Sequence, residues 1–142
     1  MPAKAQAEWK GDLRSGSGSF SAGDGGISGE FSFKSRFEDG PGANPEQLIG
    51  AAHASCFSMA LSAALAEEGH TVDSVTTTAT VTLRIVEGAP TITKIELATV
   101  GRVPGIDQAA FEAAANGAKA GCPVSKALAG VPEVTLSATL ES

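Results

Sequence analysis

The most regular pattern in the chain is an alternation of threonine with valine, isoleucine or leucine over residues 74–86 and again over residues 90–103. A period of two is typical of strands that bury one face. Residues 87–89, Glu-Gly-Ala, separate the two segments and have the composition of a tight turn. The pattern therefore predicts two long antiparallel strands joined as a hairpin.

A helix start is visible near the middle of the sequence. Asn44 is a good N-cap, Pro45 suits the first helical position, and Gln47 completes the spacing of a capping box. The predicted helix covers residues 45–68 and is stopped by the glycine that follows. Residues 48–61 contain no Asp, Glu, Lys or Arg. A helix that is apolar or small on all sides is typically buried.

The first forty residues lack a long periodic segment. Short β-favouring runs at residues 4–13 and 27–34 enclose a stretch rich in glycine and serine, residues 15–26. We interpret this part as an antiparallel meander with tight turns. The glycine-rich stretch does not resemble a phosphate-binding loop, because it has no Gly-Lys-Ser/Thr ending and no helix pattern follows it. Residues 36–43 are expected to form a polar loop.

The last third of the chain adds two helices and a strand. Residues 107–120 have the pattern of an amphipathic helix, residues 122–128 predict one or two further turns, and residues 133–140 predict a strand. The resulting order, three strands, a helix, two strands, two helices and a strand, is typical of the α+β class. No repeat or long linker divides the chain, so we expect a single domain over residues 1–142.

Composition narrows the possible functions. The formal net charge is −6 and the 10 lysine and arginine residues are scattered, which disfavours nucleic acid and anionic membranes as partners. Seventeen glycines and no tyrosine predict a core of small side chains, which suits a tightly packed helix or a subunit interface. The N-terminus lacks the apolar stretch of a secretory signal, and no later segment is expected to be long enough to span a bilayer. These features predict a cytoplasmic protein.

Cys56 and Cys122 are the first candidates for chemistry. In a reducing cytoplasm, two cysteines favour a catalytic, redox or metal-binding role over a permanent disulfide. Cys56 lies in the middle of the predicted helix, where the alternative is a small hydrophobic core residue. Cys122 precedes Pro123 at a predicted helix N-terminus, where free N–H groups favour a thiolate.

Arg36 and Glu46 flank the loop that leads into the long helix. One interpretation is a surface ion pair of little energetic weight, and the other is a carboxylate holding an arginine that stabilises a thiolate. Glu46 lies ten residues before Cys56, which is about 15 Å at the rise of an α-helix. Either the loop folds back along the helix, or a second subunit brings its own loop to Cys56.

His53 is three residues before Cys56 and lies on the same face of the predicted helix. A zinc site on His53, Cys56 and Cys122 is one alternative, although neither Cys122 nor His70 has a neighbour at the spacing of metal ligands. The other alternative is a partly buried histidine with satisfied hydrogen bonds. A serine nucleophile is not supported, because no Gly-x-Ser-x-Gly element surrounds the serines of the helix.

Two segments carry a family resemblance. They are Asn-Pro-Glu-Gln-Leu-Ile-Gly-Ala-Ala-His-Ala-Ser-Cys-Phe-Ser-Met-Ala-Leu-Ser over residues 44–62 and Lys-Ala-Gly-Cys-Pro-Val-Ser over residues 119–125. With these motifs, in this order and at this separation, the chain resembles the OsmC/Ohr peroxidases, and within them the osmotically inducible OsmC branch. The resemblance covers nearly the whole chain from Trp9 onward.

The resemblance implies a fold and an assembly. The expected fold is α+β and OsmC-like, with antiparallel sheets around a long buried central helix. The expected assembly is an intertwined homodimer with two active sites near the subunit interface. The branch also implies a role in the response to oxidative and osmotic stress.

The resemblance further implies a reaction and its residues. Cys56 corresponds to the peroxidatic cysteine, Cys122 to the resolving cysteine, Arg36 to the site arginine and Glu46 to its carboxylate partner, with Arg14 as a second arginine nearby in sequence. A Cys56 thiolate would reduce an organic hydroperoxide to an alcohol, and the sulfenic acid left behind would form a disulfide with Cys122. An external dithiol, for example a lipoylated protein, would reopen that disulfide. No bound cofactor or metal is expected.

Apolar side chains on the helix bear on the choice of substrate. Ile49, Phe57 and Met59 are expected to favour a hydroperoxide with a hydrocarbon body over hydrogen peroxide. One alternative function stays open, a non-enzymatic dimeric module that binds an apolar ligand and has both cysteines packed in its core. In that alternative, replacing Cys56 by serine leaves every activity unchanged.

Overall fold

The computed structural model describes residues 2–141. Contacts along the chain divide it into two compact units, the first ending at Leu48 and the second beginning at Ile49. Each unit has a three-stranded sheet, and the mixture of strands and helices confirms the α+β class. The single domain expected over the whole chain stays a prediction.

The first unit contains the predicted antiparallel meander. Its strands pair in chain order and are β1 (Ala5–Lys10), β2 (Ser17–Ala22) and β3 (Ile27–Phe31). β2 lies inside the stretch rich in glycine and serine, and the surroundings of Gly18 show why a small residue is required at that position. A side-chain carbon on Gly18 would come within 2.7 Å of the rings of Phe31 and Trp9, which belong to the two neighbouring strands.

One element of the first unit differs from the prediction. The polar loop expected over residues 36–43 is wrong at its start, because α1 (Phe33–Phe37) places Arg36 on a helical turn. Ser32 and Ser35 form a capping box, in which each backbone N–H donates to the other residue's hydroxyl, at 2.8 and 3.1 Å. A helix of five residues is too short for the periodicity of the sequence to reveal.

The long helix α2 (Pro45–Glu67) begins at the predicted residue and ends one residue earlier than predicted. The backbone N–H of Gln47 donates to Oδ1 of Asn44 at 2.8 Å, so Asn44 caps the helix as expected. Gly69 follows the helix with a φ of 90°, a left-handed conformation that glycine adopts without strain.

Only one side of α2 is buried in the single chain. Phe57, Leu61 and Leu65 have no exposed surface. Over residues 48–63 the opposite side carries small or apolar residues and no charge, and its exposed members include Ala51, Ala52, Ser55, Met59 and Ala63. The burial expected on all sides is therefore present on one side of the helix within a single chain.

The length and composition of α2 also correct one expectation. With 23 residues and an 18-residue stretch of mean hydropathy 1.5, the helix is long and apolar enough to cross a membrane, so the expectation that no segment is long enough is wrong. By itself this is weak evidence for a membrane span, because core helices of globular proteins pass the same test. In the second unit, one side of α2 joins the hydrophobic core through Phe57, Leu61 and Leu65.

The second sheet begins with the predicted hairpin. β4 (Ser74–Val86) and β5 (Ala89–Arg102) are antiparallel and joined by Glu87 and Gly88, which have φ angles of 51° and 80°. Two central residues with positive φ are characteristic of the turn type that matches the twist of paired strands.

The last strand corrects the expectation of wholly antiparallel sheets. β6 (Glu133–Leu140) has its predicted bounds but pairs in parallel with β5. The chain between them forms α3 (Gln108–Gly121) and α4 (Pro123–Ala127), and such a helical crossover is what a parallel pair requires. The core of this unit joins α2 and α3 to β5 through Phe57, Leu61, Ile95, Leu97 and Phe111.

Candidate active site

The second unit brings Cys56 and Cys122 into direct interaction. Cys56 lies on α2, and Cys122 is the single residue between α3 and α4. The backbone N–H of Val124 donates to the sulfur of Cys56. The N–H of Ser125 donates to Sγ of Cys122 at 3.3 Å, so Cys122 caps α4. The two cysteines that the sequence singles out are thus neighbours, and both are free thiols.

The two thiols differ in exposure. Cys122 has 0% exposed surface, whereas Cys56 is half-buried. Within the single chain, a small oxidant therefore reaches Cys56 without any rearrangement and does not reach Cys122.

The two thiols also differ in how readily they ionise. Burial is the largest effect on Cys56 and raises its pKa; a hydrogen bond from the Val124 N–H opposes burial, and the adjacent Cys122 raises the pKa further. Burial also acts to raise the pKa of Cys122, but hydrogen bonds from Ser125 and Cys56 outweigh burial and lower that pKa. The two thiols interact, so their protonation states depend on each other.

Arg36 and Glu46 form an ion pair in the first unit. Nε and Nη2 of Arg36 both donate to Oε1 of Glu46, at 3.1 and 2.9 Å. Glu46 is only 6% exposed, so its carboxylate depends on this arginine as a charge partner. The guanidinium also lies over the ring of Phe37, 5.4 Å from its centre. Arg14 instead lies over Phe33 at 4.8 Å, so Arg36 is the arginine that pairs with Glu46. The catalytic roles of Arg36, Glu46 and the two cysteines stay predictions.

His53 takes part in a contact that the sequence does not reveal. Its ring is fully buried, and Nε2 lies 2.8 Å from Oγ of Ser125, a residue 72 positions away. Nδ1 has no hydrogen-bond partner among residues 2–141. The expectation of a satisfied histidine is therefore wrong for one of its two nitrogens. Burial lowers the pKa of His53, which favours the neutral ring.

The geometry does not favour the zinc alternative. Among residues 2–141, no three histidine, cysteine or acidic side chains are grouped as a metal ion would require. A site on His53, Cys56 and Cys122 would need the ring nitrogens of His53 to face the sulfurs. Instead, Nε2 of His53 is engaged by Ser125.

The expectation that Ile49, Phe57 and Met59 contact the substrate needs one correction. Phe57 is wrong as a lining residue, because it has no exposed surface and packs in the hydrophobic core. Met59 is 76% exposed and Ile49 is half-buried, so both are open to a ligand or to another chain.

Comparison with known proteins places the chain in a family. The family described as OsmC-like protein matches residues 38–137. Peroxiredoxin OsmC of Escherichia coli is 49% identical over 140 residues, which are 98% of this chain and 96% of the relative. The chain belongs to the OsmC-like family. At this identity over nearly the whole length, this OsmC-like protein is a cysteine-based peroxidase.

Solved structures confirm the OsmC-like fold. An organic hydroperoxide resistance protein OsmC from Legionella pneumophila is 25% identical, covers 96% of both chains and superimposes with a TM-score of 0.72. The organic hydroperoxide resistance protein OhrB of Bacillus subtilis is also 25% identical, with coverage of 97% of this chain and 98% of its own and a TM-score of 0.70.

Proposed function

We propose that the protein reduces organic hydroperoxides to alcohols and transfers the oxidation to a disulfide between Cys56 and Cys122. The observation that carries this proposal is the contact between a half-exposed thiol and a fully buried one. The accessible thiol, Cys56, is suited to meet the peroxide. The buried thiol, Cys122, is suited to react only with its neighbour and so to complete the cycle.

The reaction has two chemical steps. The Cys56 thiolate attacks one peroxide oxygen, an S–O bond forms as the O–O bond breaks, and the alkoxide takes a proton to leave as an alcohol. The Cys122 thiolate then attacks the sulfenic acid of Cys56, an S–S bond forms, and hydroxide leaves and is protonated to water. The peroxide gains two electrons and the two thiols lose two.

The cycle closes with an external dithiol that reduces the disulfide by exchange. A lipoylated protein is our candidate for this dithiol, because two adjacent thiols on one molecule release the mixed disulfide efficiently. The electrons then need no bound cofactor or metal. A cytoplasmic location fits the scheme, since thiols are kept reduced there.

The ionisation of Cys56 calls for a cation from outside the second unit. Within residues 2–141, the groups that act on the pKa of Cys56 include no cation and raise that pKa overall. Arg36 is held by Glu46, and Glu46 lies ten residues before Cys56, about 15 Å along the axis of α2. We therefore assign Arg36 of the partner subunit to the thiolate of Cys56.

A homodimer also accounts for the uncovered side of α2. Over residues 48–63 the residues exposed there are uncharged, and apart from Leu48 and Met59 they are small. Small side chains let two helices approach closely, and a two-fold dimer would place the same surface of each copy against the other. The Met59 side chain, 76% exposed in one chain, then lies at the boundary between the subunits.

Substrate preference tests the proposed function. With excess dihydrolipoamide as reductant, kcat/KM for cumene hydroperoxide is expected to exceed that for hydrogen peroxide by at least about tenfold, because the larger substrate gains apolar contacts that the smaller one lacks. Steady-state peroxide consumption measures both values. Equal values would contradict the organic substrate class, and no turnover with either peroxide would overturn the proposed function.

Replacing Arg36 by alanine tests the assigned cation. The rate at which Cys56 reacts with cumene hydroperoxide is expected to fall roughly 10²-fold, the usual loss when one stabilising charge or donor is removed from a site. Stopped-flow mixing of the reduced protein measures this rate. Arg14→Ala is the matched control, because Arg14 contacts Phe33 and does not pair with Glu46. A slow Arg14→Ala variant beside a normal Arg36→Ala variant would move the role to Arg14.

Mixed dimers decide whether Arg36 acts across the interface. Arg36→Ala and Cys56→Ser chains are co-expressed with different tags, and the heterodimer is purified. If Arg36 acts on the partner subunit's Cys56, one of the two sites in each heterodimer is complete, and about half of the wild-type turnover is expected. Action within one chain predicts no recovery above the two parent variants.

A further inference from the structure

A buried chain of hydrogen bonds leads from His53 to Cys122. Nε2 of His53 lies 2.8 Å from Oγ of Ser125, and the backbone N–H of Ser125 donates to Sγ of Cys122 at 3.3 Å. The Ser125 hydroxyl also interacts with Cys122 and lowers the pKa of its thiol. His53 and Cys122 have no exposed surface, and Ser125 is half-buried. All three residues lie in the second unit, and the reaction derived above does not use His53 or Ser125.

The ring nitrogen of His53 that has no hydrogen-bond partner among residues 2–141 determines which atom donates in the hydrogen bond between His53 and Ser125. A neutral imidazole has one N–H, and a buried N–H without an acceptor costs more than a nitrogen lone pair without a donor. Because Nδ1 has no partner among residues 2–141, the proton belongs on Nε2, which donates to Oγ of Ser125. A partner subunit does not change this, since the ring is already enclosed by its own chain. The Ser125 hydroxyl is then free to donate its own hydrogen to Cys122.

We propose that Ser125 and His53 are positioning residues that hold Cys122 as a thiolate directed at the sulfur of Cys56, and that they thereby accelerate formation of the disulfide. The inference rests on the proposed function, because it concerns the second step of that reaction. The two steps then depend on different residues. The partner's Arg36 acts on Cys56 in the first step, and the His53–Ser125 pair acts on Cys122 in the second step.

The chemistry of this step follows from the donors around Cys122. The attacking group must be a thiolate, which two donors from Ser125 favour although the site is buried. The titratable groups that face Cys122 are Cys56 directly and His53 through Ser125. As the S–S bond forms and the S–O bond of the sulfenic acid breaks, hydroxide leaves and is protonated by solvent. Ser125 and His53 keep their protons throughout.

Ser125→Ala tests the inference in the full-length protein. After one equivalent of cumene hydroperoxide, rapid quenching and intact mass separate the sulfenic acid from the disulfide. The rate of disulfide formation is expected to fall at least about tenfold in Ser125→Ala, the usual effect of losing a hydrogen bond to a charged group. The rate of the first step, oxidation of Cys56, is expected to be no slower than in the wild type. The midpoint of the pH profile of disulfide formation should also move to higher pH.

Conservative variants distinguish hydrogen bonding from general structural damage. Ser125→Thr keeps the hydroxyl, and His53→Gln keeps an N–H near the position of Nε2, so both should retain most of the rate. His53→Leu should lose it. Ser58→Ala is the matched control, because the Ser58 hydroxyl donates to Thr77 at 2.8 Å and is not bonded to either sulfur. Its rate of disulfide formation should equal that of the wild type.

The outcomes keep the two proposals separate. A normal rate of disulfide formation in Ser125→Ala, or an equal slowing in Ser58→Ala, would overturn the role of the His53–Ser125 pair while the wild-type disulfide still supports the proposed function. Failure of the wild type itself to form the disulfide would overturn the proposed function and this inference together.

Discussion

Cys56→Ser is expected to lower hydroperoxide turnover by at least about 10³-fold, to the rate seen without protein, because it removes the group on which the whole reaction depends. A serine hydroxyl is not ionised near neutral pH and forms no sulfenic acid with a peroxide. The substitution exchanges one half-buried atom on α2, so the midpoint of thermal unfolding should change little. Steady-state consumption of cumene hydroperoxide with excess dithiol measures the loss.

Ser58→Ala is the control for this variant. Ser58 lies on the same helix and is half-buried, and its hydroxyl bonds to Thr77 rather than to either cysteine. Its turnover should stay within about twofold of the wild type, as for most substitutions away from the reacting atoms. Normal turnover by Cys56→Ser would contradict the role of Cys56 as the cysteine that reacts with the peroxide.

Cys122→Ser is expected to react once and then stop. Cys56 can still reduce one hydroperoxide, but the sulfenic acid has no neighbouring thiol to form a disulfide, so turnover with a dithiol should fall by about two orders of magnitude or more. Further peroxide should convert the stalled protein to the sulfinic acid, a gain of about 32 Da in intact mass. Continued normal turnover would show that the reductant attacks the sulfenic acid directly and that Cys122 is dispensable.

Cys122→Ser also tests whether Cys122 affects the pKa of Cys56. Cys122 raises the pKa of Cys56, so its replacement should lower that pKa and shift the pH profile of the first oxidation to lower pH. The shift has this sign because serine, unlike the Cys122 thiol, does not place a negative charge beside Cys56. A profile that moves to higher pH would contradict the direct interaction between the two sulfurs.

Much of the fold follows from local signals in the sequence. The hairpin of β4 and β5 combines strict alternation with a turn at Glu87 and Gly88, and α2 has an N-cap at Asn44 and a glycine after its last turn. Each of these signals depends on residues only a few positions apart. They fix the bounds of an element without any knowledge of what packs against it.

The features that sequence reasoning missed depend on distant contacts or on very short elements. The parallel pairing of β6 with β5 is set by the crossover through two helices, and the strand pattern alone does not distinguish it from antiparallel pairing. Phe57 is buried in the core, and because α2 has no charged face between residues 48 and 61, periodicity does not indicate which of its apolar residues are buried. The sequence signal for α1 is the pair of serines, Ser32 and Ser35, that forms its capping box.

The candidate site also combines features that local sequence motifs reveal with features that depend on distant contacts. The motifs around Cys56 and Cys122 identified the two thiols, and the fold brings them together. Ser125 lies in one of those motifs, yet its contact with His53 joins residues 72 positions apart. The pairing of Arg36 with Glu46, which the family resemblance implies, is present, whereas the helical turn α1 that carries Arg36 is not predicted.

The most direct test of the two-cysteine cycle is the intact mass of the fully reduced protein before and after one equivalent of cumene hydroperoxide, with peptide mapping of any cross-link. The account predicts a loss of about 2 Da, the two hydrogens given up by the thiols, and a single new link between Cys56 and Cys122. An unchanged mass, or a stable gain of oxygen with both cysteines unlinked, would contradict it.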